Sequence, residues 1–493
     1  MELKLVIIFW ICIIDNKIKI RMDIMGSLYS SLIFIDYLAI IYFFLVNGIY
    51  LILNTYAFFS IRKRWISKEI ENFDKTFQSE FYKPVSIIIP AYNEQATIVD
   101  NVKSILALKY PEFEVVVVSD GSSDKTIDLL KEEFNLKNSS RSYEEKLGTE
   151  KVIEVYDSVD YPNLIVIDKE NGGKADALNA GINASQYPLV CNIDADTVID
   201  EESLLKIVEP IARDWRVVAA GGSIRIANDC KIENGQVTKV NLSKKSIVKM
   251  QVVEYLRAFL FGRVGWAAID SLLIISGAFG VFRKKHVIDA GGYSTNTVGE
   301  DMELVLKLNR KLKHKDRDYK VLFFADPVCW TQAPEDLETL GNQRSRWQRG
   351  LGQSLLLNKE LFFNKNYGLL GLLAYPFYFF VEFLGPIIEA VGYLSMFLTI
   401  VFFGGISEVV ILFFITAILM GVLLSTLSLF FEVMTFHKYK KLKDILNLFL
   451  FSVLESFGYK QLHTWWRLRG IVELIRKNES WGKQNRKTFN SKE

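Results

Sequence analysis

Two aspartates one residue apart, Asp194 and Asp196, directly follow an apolar run that ends at Ile193. Carboxylates at that spacing in a loop can hold Mg²⁺ or Mn²⁺ through oxygen ligands and leave positions on the metal for a substrate diphosphate. An isolated D-x-D triplet is ordinarily a helix N-cap or a turn. Its company here changes that reading. Ala91-Tyr92-Asn93-Glu94 follows the apolar run Val85–Ile89, and Ser119-Asp120-Gly121 follows Val115–Val118. Gly172-Gly173-Lys174 comes soon after a third run, Leu164–Ile167. Four polar clusters each stand behind a short apolar run.

Further along, Ser276-Gly277-Ala278 and Gly291-Gly292-Tyr293 bracket a short strand and turn. Gly299-Glu300-Asp301 then opens a helical stretch over Met302–Asn309, and an acidic pair there also suits a helix start. Gln343-Arg344-Ser345-Arg346-Trp347 lies on another helical stretch, and alone it reads as an interfacial anchor with Trp at headgroup level. Other chemistries are excluded. Position 168 is Asp, so the G-x-x-x-x-G-K spacing of a nucleotide triphosphatase fails around Lys174. No G-x-G-x-x-G follows the first run, which argues against a dinucleotide oxidoreductase.

What must position these residues is a layered domain. From Pro84 to about Pro334, short apolar runs, including Leu189–Ile193, alternate with amphipathic segments. Fully apolar strands alternating with helices predict a mostly parallel sheet covered on both faces. Ligands bind such sheets at the carboxyl ends of the strands, where all four clusters fall. The polar segment Lys137–Tyr161 reads as a surface insertion.

The charges divide the chain further. There are 59 Lys+Arg and 57 Asp+Glu, a net +2, with 50% hydrophobic and 13% aromatic residues. This excludes a nucleic-acid binder driven by bulk charge and excludes disorder. Between Lys365 and Lys438, however, only Glu382, Glu389, Glu408 and Glu432 are ionised. Leu28–Ile61 carries one charge, Asp36, and exceeds the roughly 20 residues a helix needs to cross a bilayer. Arg62, Lys63, Arg64 and Lys68 follow at once, which puts the next domain on the cytosolic side. Leu3–Ile14 is too short to span and lacks a cleavage site, so it reads as an interfacial or second N-terminal segment.

Tyr367–Phe403 and Val409–Phe431 are also long enough to cross, joined by a turn at Gly404-Gly405-Ile406-Ser407. Ile445–Tyr459 reads as interfacial or re-entrant and leads to a basic tail with Arg467, Arg469, Arg476 and Lys477. The expected organisation is a membrane region over 1–70, a cytosolic domain over 83–335 and interfacial helices over 336–366. A second membrane region over 367–466 and a basic cytosolic tail over 467–493 complete it. Glu382 and Glu389, two helical turns apart, should share one face, either lining a cavity or on an interfacial helix broken at Gly385-Pro386. Cys12, Cys191, Cys230 and Cys329 are scattered, consistent with reduced thiols and with neither a zinc site nor a disulfide framework.

The ordered set Tyr92-x-Glu94, Asp120, Asp194-x-Asp196, Glu300-Asp301 and Gln343-x-x-Arg346-Trp347, bounded by membrane segments, resembles the processive family-2 glycosyltransferases. Cellulose, hyaluronan and poly-N-acetylglucosamine synthases share this arrangement. The resemblance implies a GT-A nucleotide-sugar domain, Rossmann-like, at the cytosolic face of a plasma or inner membrane. It implies that Tyr92, Glu94 and Asp120 hold the uridine end of a UDP-sugar, that Lys174 approaches the nucleotide, that Asp194 supports the donor and that Asp196 binds Mg²⁺ or Mn²⁺. Asp301, beside Glu300, would be the general base, and Gln343, Arg346 and Trp347 would meet the pyrophosphate and the acceptor sugar. Ala91 stands where several relatives have Thr, which puts one contact to the base in doubt.

The expected activity is inverting transfer from UDP-N-acetylglucosamine or UDP-glucose to a growing polysaccharide, coupled to export, with the bilayer and an accessory membrane subunit as partners and no nucleic acid. Two alternatives are a non-processive transferase acting on a lipid or polyprenyl phosphate, and a non-catalytic transporter or receptor.

Overall fold

The apolar runs become strands because their β-branched side chains are buried on both faces. Val85, Ile87, Ile89 and Val115 through Val118 are wholly inaccessible to solvent. The computed structural model describes residues 2–70, 82–141, 143–233, 235–314, 318–404 and 407–477. Its strands are β1 (Val85–Ala91), β2 (Phe113–Asp120), β3 (Leu136–Asn138), β4 (Val152–Ser158), β5 (Leu164–Lys169), β6 (Leu189–Ile193), β7 (Thr197–Ile199) and β8 (Val217–Ile226). A hairpin of β9 (Lys231–Glu233) and β10 (Gln236–Lys239) precedes β11 (Phe279–Arg283) and β12 (Lys320–Thr331).

Ten strands form one sheet in the order β3-β4-β5-β2-β1-β6-β11-β8-β12-β7. β5, β2, β1 and β6 run parallel, as do β8 and β12, while β11 is antiparallel to both β6 and β8. The sheet is therefore mixed but mostly parallel, a GT-A-like α/β fold. Because β11 is reversed, the Ser276-Gly277-Ala278 loop before it reaches the same edge as the carboxyl ends of β1, β2, β5 and β6. The segment 137–161 is not a mere insertion. β4 lies within it and pairs antiparallel with β5, and β3, which overlaps its start, pairs antiparallel with β4 and forms the sheet edge.

Outside the sheet, the helix Glu2–Ile70 runs unbroken, so Leu3–Ile14 belongs to the same helix as Leu28–Ile61. Among the described residues three helices are long and apolar enough to cross a membrane: Met25–Arg64, Gly385–Phe403 and Glu408–Thr435. Tyr367–Phe403 is interrupted where the Gly385–Phe403 helix begins anew with Pro386 in its first turn. Gly405 and Ile406 of the expected turn lie outside the described residues. Thr399 donates to Asp36 (2.7 Å) and Asn47 donates to the Thr416 carbonyl (3.0 Å), tying the apolar helices together through groups that would be costly to leave unpaired in hydrocarbon.

The last apolar helix, Leu442–Leu454, kinks at Phe457 and Gly458 into a helix over Lys460–Ile475. The boundary drawn at 467 falls inside this helix. Arg467 there donates to Gln348 Oε1 (2.9 Å) of the Leu337–Leu357 helix. Cys191 and Cys329 are buried free thiols and Cys230 is partly exposed.

Candidate active site

Each strand end delivers a side chain because the chain must leave the sheet there and can no longer satisfy its polar groups in the ladder. Asp120 closes β2, and its buried carboxylate accepts from Lys169 Nζ (2.7 Å), Gly172 N (3.0 Å) and Gly173 N (2.8 Å). It thus shapes the loop that begins the Lys174–Ala184 helix. Gly173 takes φ +89° there, a left-handed conformation that favours glycine. The buried Lys169 ammonium sits between Asp120 and Asp176 (2.7 and 2.6 Å). Sequence reasoning missed Lys169. Its only signal was a lysine at the end of an apolar strand, which does not reveal which way the side chain turns.

Lys174 is the hub of the site. Its Nζ lies 2.5 Å from Asp194 Oδ1 and 3.6 Å from Glu300 Oε1. Burial disfavours the ammonium, but Asp194 and Glu300 overcome this and hold Lys174 above the usual lysine range. Burial, more than the charge of neighbouring Asp301, pushes the Glu300 carboxyl up to about 7, with Lys174 pulling the other way. Burial and then the charge of Asp194 raise Asp196 to about 6. Asp301 accepts from Gly277 N through Oδ2 (3.0 Å) and from Met302 N through Oδ1 (2.7 Å). Asn192 at the end of β6 donates to the Gly277 carbonyl (2.8 Å), so a residue the motif reading did not single out fixes the loop that fixes Asp301.

Glu300 and Asp301 do open a helix, Glu300–His314, two residues earlier than expected and running past Asn309. The helix-start reading and the active-site reading therefore describe the same residues. Gln343, Arg346 and Trp347 lie on the Leu337–Leu357 helix. Arg346 is half-buried, and its guanidinium is pushed down by desolvation against the opposing pull of Glu300, Asp194 and Asp301. It therefore faces the acidic cluster. Trp347 and Tyr92 stay about half exposed, at 44% and 53%, as flat side chains meeting a ligand would.

The residues singled out from the sequence border one cavity of about 1590 Å³. Tyr92, Glu94 and Asp120 lie along it, followed by Asp194, Asp196, Lys174 and Asp301, then Gln343, Arg346 and Trp347. The cavity continues between the apolar helices to Tyr42, Glu382, Glu389 and Lys460. Glu389 accepts from Thr464 (2.6 Å), while Glu382 accepts from Tyr50 and from Arg467 (3.3 Å). Both glutamates thus face the same space.

A model of the glycosyl transferase family 2 domain matches residues 86–285, and one of the glycosyl transferase family group 2 domain matches 189–431. The chain therefore contains a family 2 glycosyltransferase domain. It is 31% identical over 277 residues to a poly-β-1,6-N-acetyl-D-glucosamine synthase of Staphylococcus aureus, covering 55% of each chain. To the synthase of the same description from Staphylococcus epidermidis it is 28% identical over 312 residues, 63% of this chain and 64% of that one. The chain thus spans little more than half the length of the curated relatives it matches. A mannosyltransferase from Pyrobaculum calidifontis, solved with GDP-Man and Mn²⁺, has a similar fold, with a TM-score of 0.51 at 15% identity over 88% of this chain and 100% of that one.

The two aspartates fit a divalent cation. Hard carboxylate oxygens one residue apart suit Mg²⁺ or Mn²⁺, and a carboxyl raised by a like-charged neighbour is one that a cation would relieve. No third His, Cys, Asp or Glu joins them among the described residues, so a metal here would keep positions for other oxygens.

Proposed function

We propose that the protein is a membrane-embedded, inverting polysaccharide synthase that uses a UDP-sugar, with UDP-N-acetylglucosamine the first donor to try. The observation that carries this reading is the single cavity running from the strand-end carboxylates, past Trp347, to Tyr42 and Glu389 among the apolar helices. A growing glycan needs such an exit. A transferase adding one sugar to a lipid needs only an opening to the bilayer. The names of the two synthases above favour an amino-sugar polymer.

In this reading residues 83–335 form the catalytic domain on the cytosolic side of a plasma or inner membrane, and the helices beyond 367 form the path out. Tyr92, Glu94 and Asp120 border the nucleotide, Asp120 chiefly by holding the Gly172-Gly173 turn. Asp196, with Asp194 beside it, would hold Mg²⁺ or Mn²⁺, which when bound neutralises charge on the departing diphosphate. Lys174 and Arg346 add positive charge at the same place.

Asp301, its carboxylate steadied by Gly277 N and Met302 N, takes the proton from the acceptor hydroxyl. That oxygen bonds to the anomeric carbon as the bond from this carbon to the diphosphate oxygen breaks and the diphosphate leaves with the electron pair. One displacement without a covalent enzyme intermediate inverts the anomeric carbon. Trp347 offers a flat face to the acceptor ring, and Gln343 its amide.

The test incubates membranes containing the protein with UDP-N-acetylglucosamine, UDP-glucose or UDP-glucuronate and Mg²⁺ or Mn²⁺, reading UDP release and product length. Asp301→Asn should cut kcat by about 10²–10⁴, the usual contribution of a positioned base, and chelation should abolish turnover until metal is restored. Release indifferent to both would overturn the enzymatic reading, and a product of one sugar on lipid would overturn processivity.

A further inference from the structure

Beside Gln343 and Trp347, along the same cavity, lies a largely buried polar cluster that no catalytic step uses. Arg344, 1% exposed, donates from Nη1 to Gln343 Oε1 (2.6 Å) and from Nη2 to Glu254 Oε2 (3.0 Å). Its guanidinium carbon lies 4.2 Å from the centre of the Trp347 ring. The same Glu254 oxygen accepts from Tyr459 (2.7 Å), and its other oxygen lies 3.5 Å from His463 Nε2. Three helical segments therefore meet at one carboxylate: Ser246–Leu256, Leu337–Leu357 and the kinked stretch around Tyr459.

Two consequences follow from the donor inventory. Gln343 Oε1 accepts from Arg344, which fixes which way the amide is turned and leaves its two N–H donors for an oxygen of a ligand. One face of the Trp347 indole is covered by a cation, so a sugar has only the other face to lie on. A planar fork held by a carboxylate does both at once, which a lysine ammonium, a point charge on a flexible stem, does not.

We propose that Arg344, clamped by Glu254, is a positioning residue that sets the Gln343 amide and the free face of Trp347 and so fixes the register of the acceptor sugar. This rests on the proposal that Gln343 and Trp347 meet the acceptor. Arg344 and Glu254 border the same cavity, but Arg344 spends Nη1 on Gln343 and Nη2 on Glu254, which is why it is assigned to positioning.

The test uses the full chain in membranes with UDP-N-acetylglucosamine as donor and β-linked N-acetylglucosamine oligosaccharides as acceptor. Arg344→Lys and Glu254→Gln should each raise the acceptor KM about tenfold and shorten the product, while donor KM and UDP affinity stay within about twofold. In a Trp347→Ala background, Arg344→Lys should add little further, because effects that act through one residue are not additive. An effect of Arg344→Lys that is undiminished by Trp347→Ala, or donor and acceptor KM moving together, would overturn the proposal.

Should Glu254→Gln fail to accumulate, Tyr459→Phe, which leaves the Arg344–Glu254 pair in place, should raise the acceptor KM by about twofold to threefold. An unchanged acceptor KM in both Tyr459→Phe and Arg344→Lys would equally overturn the proposal. Failure of the underlying reading looks different: the unaltered protein would then release no UDP, or its release would not respond to the oligosaccharide.

Discussion

At the scale of single residues, the site is a set of carboxylates kept from repelling one another by two cations, Lys174 and Arg346. Glu300 shows the cost. Burial raises its carboxyl to about 7 against an ordinary 4.5, so between those values the folded chain holds a proton that the unfolded chain has lost. Stability contributed by this group is therefore full at low pH and is lost as pH rises from about 4.5 through 7, by up to about 1.4 kcal/mol per pH unit. Glu300→Gln, neutral throughout, should gain stability relative to the unaltered chain across that window. Paired melting curves at pH 5 and pH 8 check it, and a gap that narrows with rising pH would contradict the assignment. Glu300 and Asp301 were legible as an acidic pair, but which carboxylate faces Lys174 and which faces Gly277 depends on the helix phase at the sheet edge.

Among elements, the critical contact joins the start of the Glu300–His314 helix to the Leu337–Leu357 helix. A Cβ on Gly350 would stand 2.8 Å from Gly299 N and 2.9 Å from Gly299 Cα, all backbone atoms that no rotamer change can clear. The contact seats the helix that begins at Glu300 against the one that carries Arg346, and Ser354 reinforces it by donating to the Gly299 carbonyl (3.0 Å). Gly350→Ala should cost about 1–3 kcal/mol through overpacking and reduce kcat by about tenfold to a hundredfold through misplacement. Gly148→Ala, with nothing within 4 Å of the new carbon, should leave both unchanged. Kinetics and thermal melts on the two variants measure the difference. The strands of the parallel core were readable as apolar runs. β3 and β4 were not, because β3 is a three-residue edge strand with exposed Lys137 and Asn138 and its neighbour β4 keeps polar side chains such as Glu154 and Asp157 only partly covered.

For the whole molecule, the α/β domain is bound to the apolar helices by a buried ion pair, Arg225 Nη2 to Glu432 Oε2 at 2.6 Å, between β8 and the Glu408–Thr435 helix. Both side chains are essentially inaccessible, at 3% and 0% exposed. Arg225→Met leaves Glu432 buried without its cation and should destabilise the protein by about 3–5 kcal/mol, while Arg225→Met/Glu432→Gln should recover most of that. Thermal melting of the detergent-solubilised full chain tests this, and a single variant as stable as the double would refute the pairing. Lys438 to Asp200, at 2.9 Å, makes a second and more exposed tie between the same regions.

Local patterns along the chain sufficed for the fold class, the candidate membrane-crossing segments and the polar clusters, because hydrophobic period and strand-end placement are properties of short stretches. Distant pairings were beyond their reach. Glu382 and Glu389 gained their setting only when Tyr50, Thr464 and Arg467, far away in the chain, closed around the same cavity. The partners of Arg344, Lys169 and Arg225 were hidden for the same reason. A buried charge is explained by whatever carboxylate the packing brings to it, and Asp120, Glu254 and Glu432 stand 49, 90 and 207 positions from Lys169, Arg344 and Arg225.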